Sequence, residues 1–173
     1  MGDRLRIGCG STAWAGLGAP PPAPQGWITL LGDTGVGKSH ILTCTAKQLY
    51  PLALYLSADD FEHQLFDAMS SSTVSEMVDA VSRAPILLVD DLGIEYGAPF
   101  VSAKLRAIIN RRYGLWQEFP TVVASNLSLQ KLKEHDARIS SRITDFEKCT
   151  VIALHKLSDY RNDPTVRTNG RPK

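Results

Sequence analysis

The chain has 173 residues, a length that suits one globular domain. Nineteen Lys and Arg against eighteen Asp and Glu give a formal net charge of +1, which excludes a strongly basic nucleic-acid clamp and an acidic tail protein. The composition, 43% hydrophobic and 21% charged, is typical of a soluble globular protein, and no apolar run is long enough to span a membrane. Any contact with nucleic acid is therefore expected to be a local patch.

The three cysteines predict reduced thiols, because Cys9, Cys44 and Cys149 are odd in number and widely spaced. Arg4 and Arg6 near the start of the chain are not followed by an apolar run of signal-peptide length. The sequence therefore predicts a cytoplasmic protein.

The composition changes near residue 26. Residues 1–26 contain six Gly and four Pro, and because proline cannot continue a helix this segment is predicted to be an extended tail. Residues 27–161 are predicted to form the folded core. Residues 162–173 are mostly polar and are predicted to be a frayed C-terminal tail.

Strand and helix patterns alternate along the core. Apolar, β-rich runs predict five strands, at residues 27–31, 52–56, 86–89, 121–124 and 150–154. Helical periodicity occupies residues 39–50, 59–83 in two pieces, 100–115 and 127–143. A stripe formed by Phe61, Leu65, Phe66 and Met69 predicts core packing. This alternation predicts an α/β fold in which a five-stranded parallel sheet lies between helices.

A phosphate-binding loop is predicted directly after the first strand. The P-loop motif is complete and reads Gly32, Asp33, Thr34, Gly35, Val36, Gly37, Lys38 and Ser39. Its glycines let backbone N–H groups turn inward around a phosphate chain, and the following helix directs its positive end at the same charge. Lys38 is expected to reach the β- and γ-phosphates of ATP, and the Ser39 hydroxyl to bind the bridging Mg²⁺. The alternative is a glycine-rich turn without a ligand.

Two carboxylates follow the third predicted strand, as in a Walker B element. Asp90 is expected to hold Mg²⁺, and Asp91 to orient or polarise the attacking water. The alternative is an acidic pair that faces solvent.

The predicted helix at residues 100–115 contains no acidic residue. Lys104 and Arg111 lie about 20° apart around its axis, while Arg106 and Arg112 point elsewhere, so the first two predict a patch that follows a phosphate backbone. The alternative is that Arg111 and Arg112 complement the negative end of the helix.

Polar and basic residues near the fourth strand complete the set. Asn126, at the end of this strand, is predicted to contact the γ-phosphate or its water as a sensor; alternatively or in addition it caps the helix that begins at Leu127.

Arg138 and Arg142 are four residues apart and share a helix face. An arginine presented to a neighbouring subunit's γ-phosphate stabilises transition-state charge, whereas the alternative is a solvated surface pair.

Taken together, these motifs resemble the AAA+ ATPases of the DnaC/DnaI helicase-loader and IstB transposition-helper type, over residues 27 to about 161. Beyond the P-loop, the resemblance rests on His40 after Lys38 and Ser39, and on the runs 90–93, 109–113, 124–127, 138–143 and 159–161. It implies a P-loop NTPase of the AAA+ type that binds ATP and Mg²⁺, with His40 in the nucleotide site. It also implies that Asn126 is the sensor 1 residue and Arg142 the arginine finger.

The resemblance further implies an ATPase that forms oligomers, binds single-stranded DNA, and either loads a replicative helicase or helps a transposase. Three features depart from it. Asp91 stands where many AAA+ proteins have Glu, so slow hydrolysis is expected. Only 26 residues precede the core, whereas the loaders carry a helicase-gripping domain there, and the chain ends soon after Arg161, so a C-terminal helical lid domain is not expected.

The leading functional prediction is an oligomeric ATP-hydrolysing switch of DNA metabolism. The alternative is a nucleotide-gated protein-binding adaptor with little hydrolysis. A small-metabolite kinase is disfavoured, because the sequence shows no insertion typical of a mobile lid that carries arginines.

Overall fold

The computed structural model describes residues 26–93 and 99–154. Within these ranges, five parallel strands form one sheet in the order β2-β3-β4-β1-β5. They are β1 (Trp27–Leu31), β2 (Ala53–Ser57), β3 (Ile86–Asp90), β4 (Thr121–Ser125) and β5 (Cys149–Ala153). Each strand lies within one residue of its predicted bounds, and the prediction of a parallel α/β fold is confirmed.

Helices cover both faces of the sheet. One face carries α1 (Lys38–Gln48). The other carries the remaining helices: α2 (Ala58–Ser70), α3 (Val74–Ser82), α4 (Pro99–Gly114), α5 (Leu129–His135) and α6 (Ala137–Ile143). Parallel strands need such two-sided cover because both of their faces are apolar.

Side chains of β3 alternate between the two cores that these helices create. Leu87 and Val89 belong to the core under α2–α6, whereas Ile86 and Leu88 belong to the core under α1. All five residues of β3 are buried. Because side chains alternate along a strand, Asp90 at the carboxyl end of β3 projects to the α1 side, where the P-loop helix lies.

The single helix predicted at residues 127–143 is wrong, because two helices occupy this stretch. Asp136 has an extended backbone (φ −148°) that ends α5 and precedes α6. Its carboxylate accepts hydrogen bonds from the backbone N–H groups of Arg138 (2.9 Å) and Ile139 (3.1 Å). An aspartate at this position is a strong N-cap, so the local chemistry favours a new helix over a continued one.

The core stripe predicted on α2 is only half correct. Phe61 and Leu65 are buried, whereas Phe66 and Met69 are 49% and 48% exposed. The buried stripe instead continues at Ala68, which lies three residues after Leu65 and so shares its side of the helix.

Some predictions fall on residues outside the described ranges. These are the tail at residues 1–25, the run at 159–161, the C-terminal tail and the expected absence of a lid. Within the described residues, Cys44 and Cys149 are free thiols. The helices of these residues include none with the length and apolar character that a membrane span requires.

Candidate functional site

The P-loop connects the end of β1 to α1 and is tied to both neighbours of β1. The Gly32 N–H donates to the Ser125 carbonyl of β4 (3.3 Å), and the Leu154 N–H, just after β5, donates to the Leu31 carbonyl (2.6 Å). A Cβ atom at Gly32 would lie 3.0 Å from Leu154 Cβ and 3.1 Å from its carbonyl oxygen. The base of the loop therefore strongly favours glycine.

Two further glycines shape the loop where it enters α1. Gly35 and Gly37 have φ values of 89° and 95°, in the left-handed region that side chains disfavour. Gly37 is the N-cap of α1; no described side chain caps this helix, and its first turn contains no acidic residue. The backbone N–H groups at the start of α1 therefore suit an anion.

Lys38 lies folded beneath the loop and is only 4% exposed. Its Nζ donates to the carbonyl oxygens of Gly32 and Asp33, both at 2.8 Å. Burial lowers the pKa of Lys38, while the negative charges of Asp91, Asp90 and Asp33 oppose that change. The ammonium group is thus held at the centre of the loop, among carboxylates that favour its charged form.

Asp90 is a buried carboxylate, 2% exposed, and both of its oxygens accept hydrogen bonds. The Tyr55 hydroxyl donates to Oδ2 at 2.6 Å, and the Asp91 N–H donates to Oδ1 at 3.0 Å. Burial raises the pKa of Tyr55, and its hydrogen bond to Asp90 adds to this rise, so Tyr55 remains the donor. No Lys or Arg of the described residues forms a salt bridge with Asp90.

Asp91 turns the chain sharply after β3 and meets Asn126 from β4. Its φ is 56°, a left-handed conformation that Asp tolerates better than most residues. The Asn126 Nδ2 donates to Asp91 Oδ1 at 2.7 Å. Burial raises the pKa of Asp91 and the nearby Asp90 charge raises it further, against opposing effects of Asn126 and Lys38. A raised pKa suits a group that accepts a proton from water.

Asn126 does not cap α5, so that alternative is wrong. The cap is Ser128, whose hydroxyl accepts from the Lys131 N–H (3.3 Å). The Leu127 N–H is bound by the Ser125 hydroxyl at 3.1 Å. These neighbours leave the Asn126 amide to contact Asp91 between β3 and β4.

The residues at the carboxyl ends of β1, β3 and β4 fit Mg²⁺ only together with a nucleotide. No group of three or more His, Cys, Asp or Glu side chains among the described residues is placed to hold a metal ion. Mg²⁺ is commonly bound by one or two protein oxygens and by substrate phosphates. Ser39 and the buried Asp90, which forms no salt bridge within the described part of the chain, match that pattern.

Not every predicted site residue joins this cluster. His40 is exposed on α1, with Nε2 3.6 Å from the Cys44 sulfur one turn later. Arg138 is exposed on α6. Arg142 is half-buried, with its guanidinium carbon 5.5 Å from the centre of the Tyr113 ring, and its Nη1 donates to the Arg138 carbonyl at 2.9 Å.

Arg142 lies near the amino end of β1, whereas the P-loop follows the carboxyl end. The Tyr113 ring beneath it is in edge contact with Trp27, the first residue of β1, at 6.1 Å between ring centres. Strand β1 has five residues from Trp27 to Leu31, a length of about 13 Å at the usual rise. Arg142 and the P-loop of the same chain therefore lie near opposite ends of β1.

The basic patch predicted on α4 is smaller than expected. Arg111 forms an ion pair with Asp79 of α3 at 2.8 Å, and Arg106 pairs with Asp136 at 2.6 Å. Arg112 is fully buried and donates hydrogen bonds to oxygen atoms of residues that lie outside α4. Both arginines lie in the last turn of α4, where positive charge complements the negative helix end, so the alternative is consistent with the structure as well.

Sequence reasoning missed Tyr55, which contacts the predicted magnesium ligand. The sequence placed Tyr55 in the second strand and Asp90 after the third. That these two strands pair with each other is known only from the folded sheet. A hydroxyl-bearing residue in an otherwise aliphatic strand was the available signal.

Comparisons with known proteins agree with this geometry. Residues 21–148 match the sequence family described as the bacterial DnaA ATPase domain. The replicative helicase loader DnaI of Bacillus subtilis (strain 168) is 28% identical over 111 residues, which are 62% of this chain and 35% of that protein. The chain thus spans about a third of the length of this relative.

Two solved structures show the same fold. The replication initiator DnaA bound to AMPPCP and single-stranded DNA superposes with a TM-score of 0.61 at 27% identity, over 74% of this chain and 40% of that one. A crystal structure of DnaI superposes with a TM-score of 0.61 at 26% identity, over 81% of this chain and 77% of that one.

Proposed function

Because the chain belongs to the family of bacterial DnaA ATPase domains and shares the AAA+ ATPase core of DnaC and DnaI, we propose that it is an ATP-hydrolysing switch of DNA replication. In this proposal several copies assemble with ATP and Mg²⁺ between them and act on single-stranded DNA and a replicative helicase. A protein with this task works in the cytoplasm, where the bacterial chromosome lies.

The observation that carries the proposal is the convergence of three strand ends on the P-loop. Lys38 lies inside the loop, Asp90 ends β3 and is followed by Asp91, and Asn126 follows β4. In open parallel sheets, ligands bind at the carboxyl ends of the strands. A phosphate chain at this edge would meet the ammonium, the carboxylates and the amide together.

Each of these residues has a distinct task in the proposed reaction. The P-loop N–H groups and Lys38 bind and orient the β- and γ-phosphates. Ser39 and Asp90 hold Mg²⁺, which when bound neutralises charge that develops on the phosphates. Asp91 orients the attacking water and accepts its proton, and Asn126 holds the Asp91 carboxylate in place and senses the γ-phosphate.

Arg142 is proposed to act on the nucleotide of a neighbouring copy. Two observations support this. Arg142 packs on Tyr113 near the opposite end of β1 from its own P-loop. The residue is only half-buried, so part of it remains accessible at the surface. A finger supplied in trans would make hydrolysis depend on assembly.

The partners are proposed from the relatives. One relative is named as a helicase loader and another was solved with single-stranded DNA, so a replicative helicase is favoured over a transposase as the protein partner. For DNA, the groove between α3 and α4 contains Lys104 and Arg111. Glu76 and Asp79 also line this groove, so we expect weak, salt-dependent binding through Lys104.

The test is phosphate release from Mg-ATP, with and without oligo-dT, for the wild type, Lys38→Ala, Arg142→Ala and Arg138→Ala. We expect turnover that oligo-dT stimulates. Lys38→Ala and Arg142→Ala are each expected to lose about a thousandfold. Mixing these two variants should restore turnover, because one supplies an intact P-loop and the other an intact finger. Arg138→Ala, on the same helix, should keep turnover near that of the wild type.

Failure of the mixture to regain turnover would contradict a finger in trans. Tight Mg-ATP binding without phosphate release would favour the second candidate, a nucleotide-gated adaptor that binds another protein. The short side chain of Asp91, held by Asn126 at 2.7 Å, is the observation that favours this candidate.

A further inference from the structure

We propose that Tyr55 is a positioning residue for Mg²⁺, acting through the carboxylate of Asp90. This inference rests on the proposed function, because it concerns the metal that accompanies ATP. Its basis is the 2.6 Å hydrogen bond from the Tyr55 hydroxyl to Asp90 Oδ2.

The sheet register explains why this tyrosine reaches this aspartate. Strand β2 pairs with β3 so that Ser57 lies opposite Asp90 and Tyr55 lies opposite Leu88. Side chains two residues apart share one face of a strand, so Tyr55 projects to the same side as Asp90. An aromatic side chain is long enough to contact a diagonal neighbour on the adjacent strand.

Packing on one side restrains the ring of Tyr55 and directs its hydroxyl towards Asp90. The Tyr55 side chain is partly buried against the core under α1, which contains Leu42 and Leu88. Asp90 is held on its other oxygen by the Asp91 N–H. Two donors from different directions thus set the rotation of the carboxylate before any metal arrives.

A carboxylate fixed in this way presents its remaining lone pairs in one direction. Partners that orient a metal ligand typically change metal affinity about 10–100-fold when removed. Tyr55 therefore contributes specifically to the Mg²⁺-dependent part of nucleotide binding, because its hydroxyl donates to Asp90 and not to a P-loop residue. Loss of the hydroxyl alone, in Tyr55→Phe, removes this contribution while the packed ring remains.

The experiment measures the affinity of the wild type, Tyr55→Phe and Tyr50→Phe for MANT-ATP, in excess Mg²⁺ and in EDTA. Tyr50 and Tyr55 both line a cavity of about 290 Å³ between α1 and β2. Tyr50 is the matched control, because it shares this cavity and is 62% exposed. We expect Tyr55→Phe to bind about tenfold more weakly in Mg²⁺ and to match the wild type in EDTA. Tyr50→Phe should match the wild type in both solutions.

A double-mutant cycle with Asp90→Asn separates positioning from a general loss of structure. If Tyr55 acts through Asp90, then Tyr55→Phe should have no further effect on MANT-ATP affinity in an Asp90→Asn background. Equal losses in Mg²⁺ and EDTA, no loss, or additive effects in the cycle would each overturn the inference. A wild type that binds no MANT-ATP in Mg²⁺ would overturn the proposed function as well, whereas binding without hydrolysis leaves this test fully usable.

Discussion

Arg112 is fully buried, and the described residues that accept from its guanidinium all do so through neutral oxygens. It donates to the carbonyls of Ser82 (3.1 Å), Ala84 (2.7 Å) and Pro120 (2.8 Å), and to the Thr121 hydroxyl (2.9 Å). Burial lowers its pKa to about 10, which leaves it charged at neutral pH. Arg112 therefore joins the end of α3 to the starts of β3 and β4.

Removing this guanidinium should destabilise the fold. Arg112→Met removes the guanidinium donors of three carbonyl oxygens and a hydroxyl, of which the Pro120 carbonyl keeps the Leu87 N–H (3.1 Å), so we expect a loss of about 3 kcal/mol of unfolding free energy. For a chain of this size that equals a fall in Tm of about 6–12 °C. Arg111→Met is the matched control, because its exposed ion pair with Asp79 contributes about 1 kcal/mol or less. Thermal unfolding followed by circular dichroism measures both, and equal falls in Tm would contradict this role for Arg112.

The sequence predicts that Arg112 is buried, but it does not predict which groups surround it. Positions 101, 105, 108 and 112 follow helical spacing, and the first three are the buried residues Val101, Leu105 and Ile108. The spacing therefore predicts a buried side chain at 112. It does not predict which carbonyl oxygens surround that position, because these belong to segments far away in the chain. The contact between Tyr55 and Asp90 could not be predicted from the sequence for the same reason.

At the scale of elements, Asp136 fixes where α6 begins and thus where Arg142 lies. Its carboxylate caps α6 and accepts from Arg106 of α4 at 2.6 Å. Burial alone would raise the pKa of Asp136, but hydrogen bonds from the Ile139 N–H, Arg106 and the Arg138 N–H outweigh it and lower the pKa. The ionised carboxylate therefore stabilises the folded state.

This lowered pKa predicts how the stability contribution of Asp136 depends on pH. Because the pKa is lower in the folded state than the ordinary value of 3.8, the contribution is complete well above pH 3.8 and declines as pH falls towards the folded value. Asp136→Ala should cost about 1–2 kcal/mol at pH 7, since the cap is lost. Asp136→Asn keeps a good cap, so its smaller cost should shrink at pH 3.5. Urea unfolding at both pH values measures this, and a cost of Asp136→Asn that stays constant would contradict it.

The elements differ in how far the sequence predicted them. The strands are nearly correct because short apolar runs bounded by turns have few alternatives. The split at Asp136 was missed because the residues on both sides have helical periodicity, and only the cap geometry distinguishes one helix from two. Phe66 and Met69 were assigned to the core because helix periodicity does not reveal how wide a surface the neighbours cover.

At the scale of the whole molecule, nucleotide binding should be visible as added stability. A ligand at one hundred times its Kd adds about 2.7 kcal/mol to the free energy of unfolding, or about 5–10 °C in Tm. We expect this rise with Mg-ATP for the wild type and for Arg142→Ala, whose own P-loop is intact. Lys38→Ala should show none. Differential scanning fluorimetry provides the measurement, and a full shift in Lys38→Ala would contradict the role of the P-loop.

The strand order has a consequence for biosynthesis. Strand β1 emerges from the ribosome before the other strands, yet both of its partners, β4 and β5, come late in the chain. The base of the P-loop is hydrogen-bonded to the end of β4 and to the residue after β5. Such non-local pairing forms slowly and only after the intervening chain exists. The P-loop is thus among the earliest core segments translated, whereas the segments that bind its base are translated late, so we expect the nascent chain to bind nucleotide only when the sheet is nearly complete.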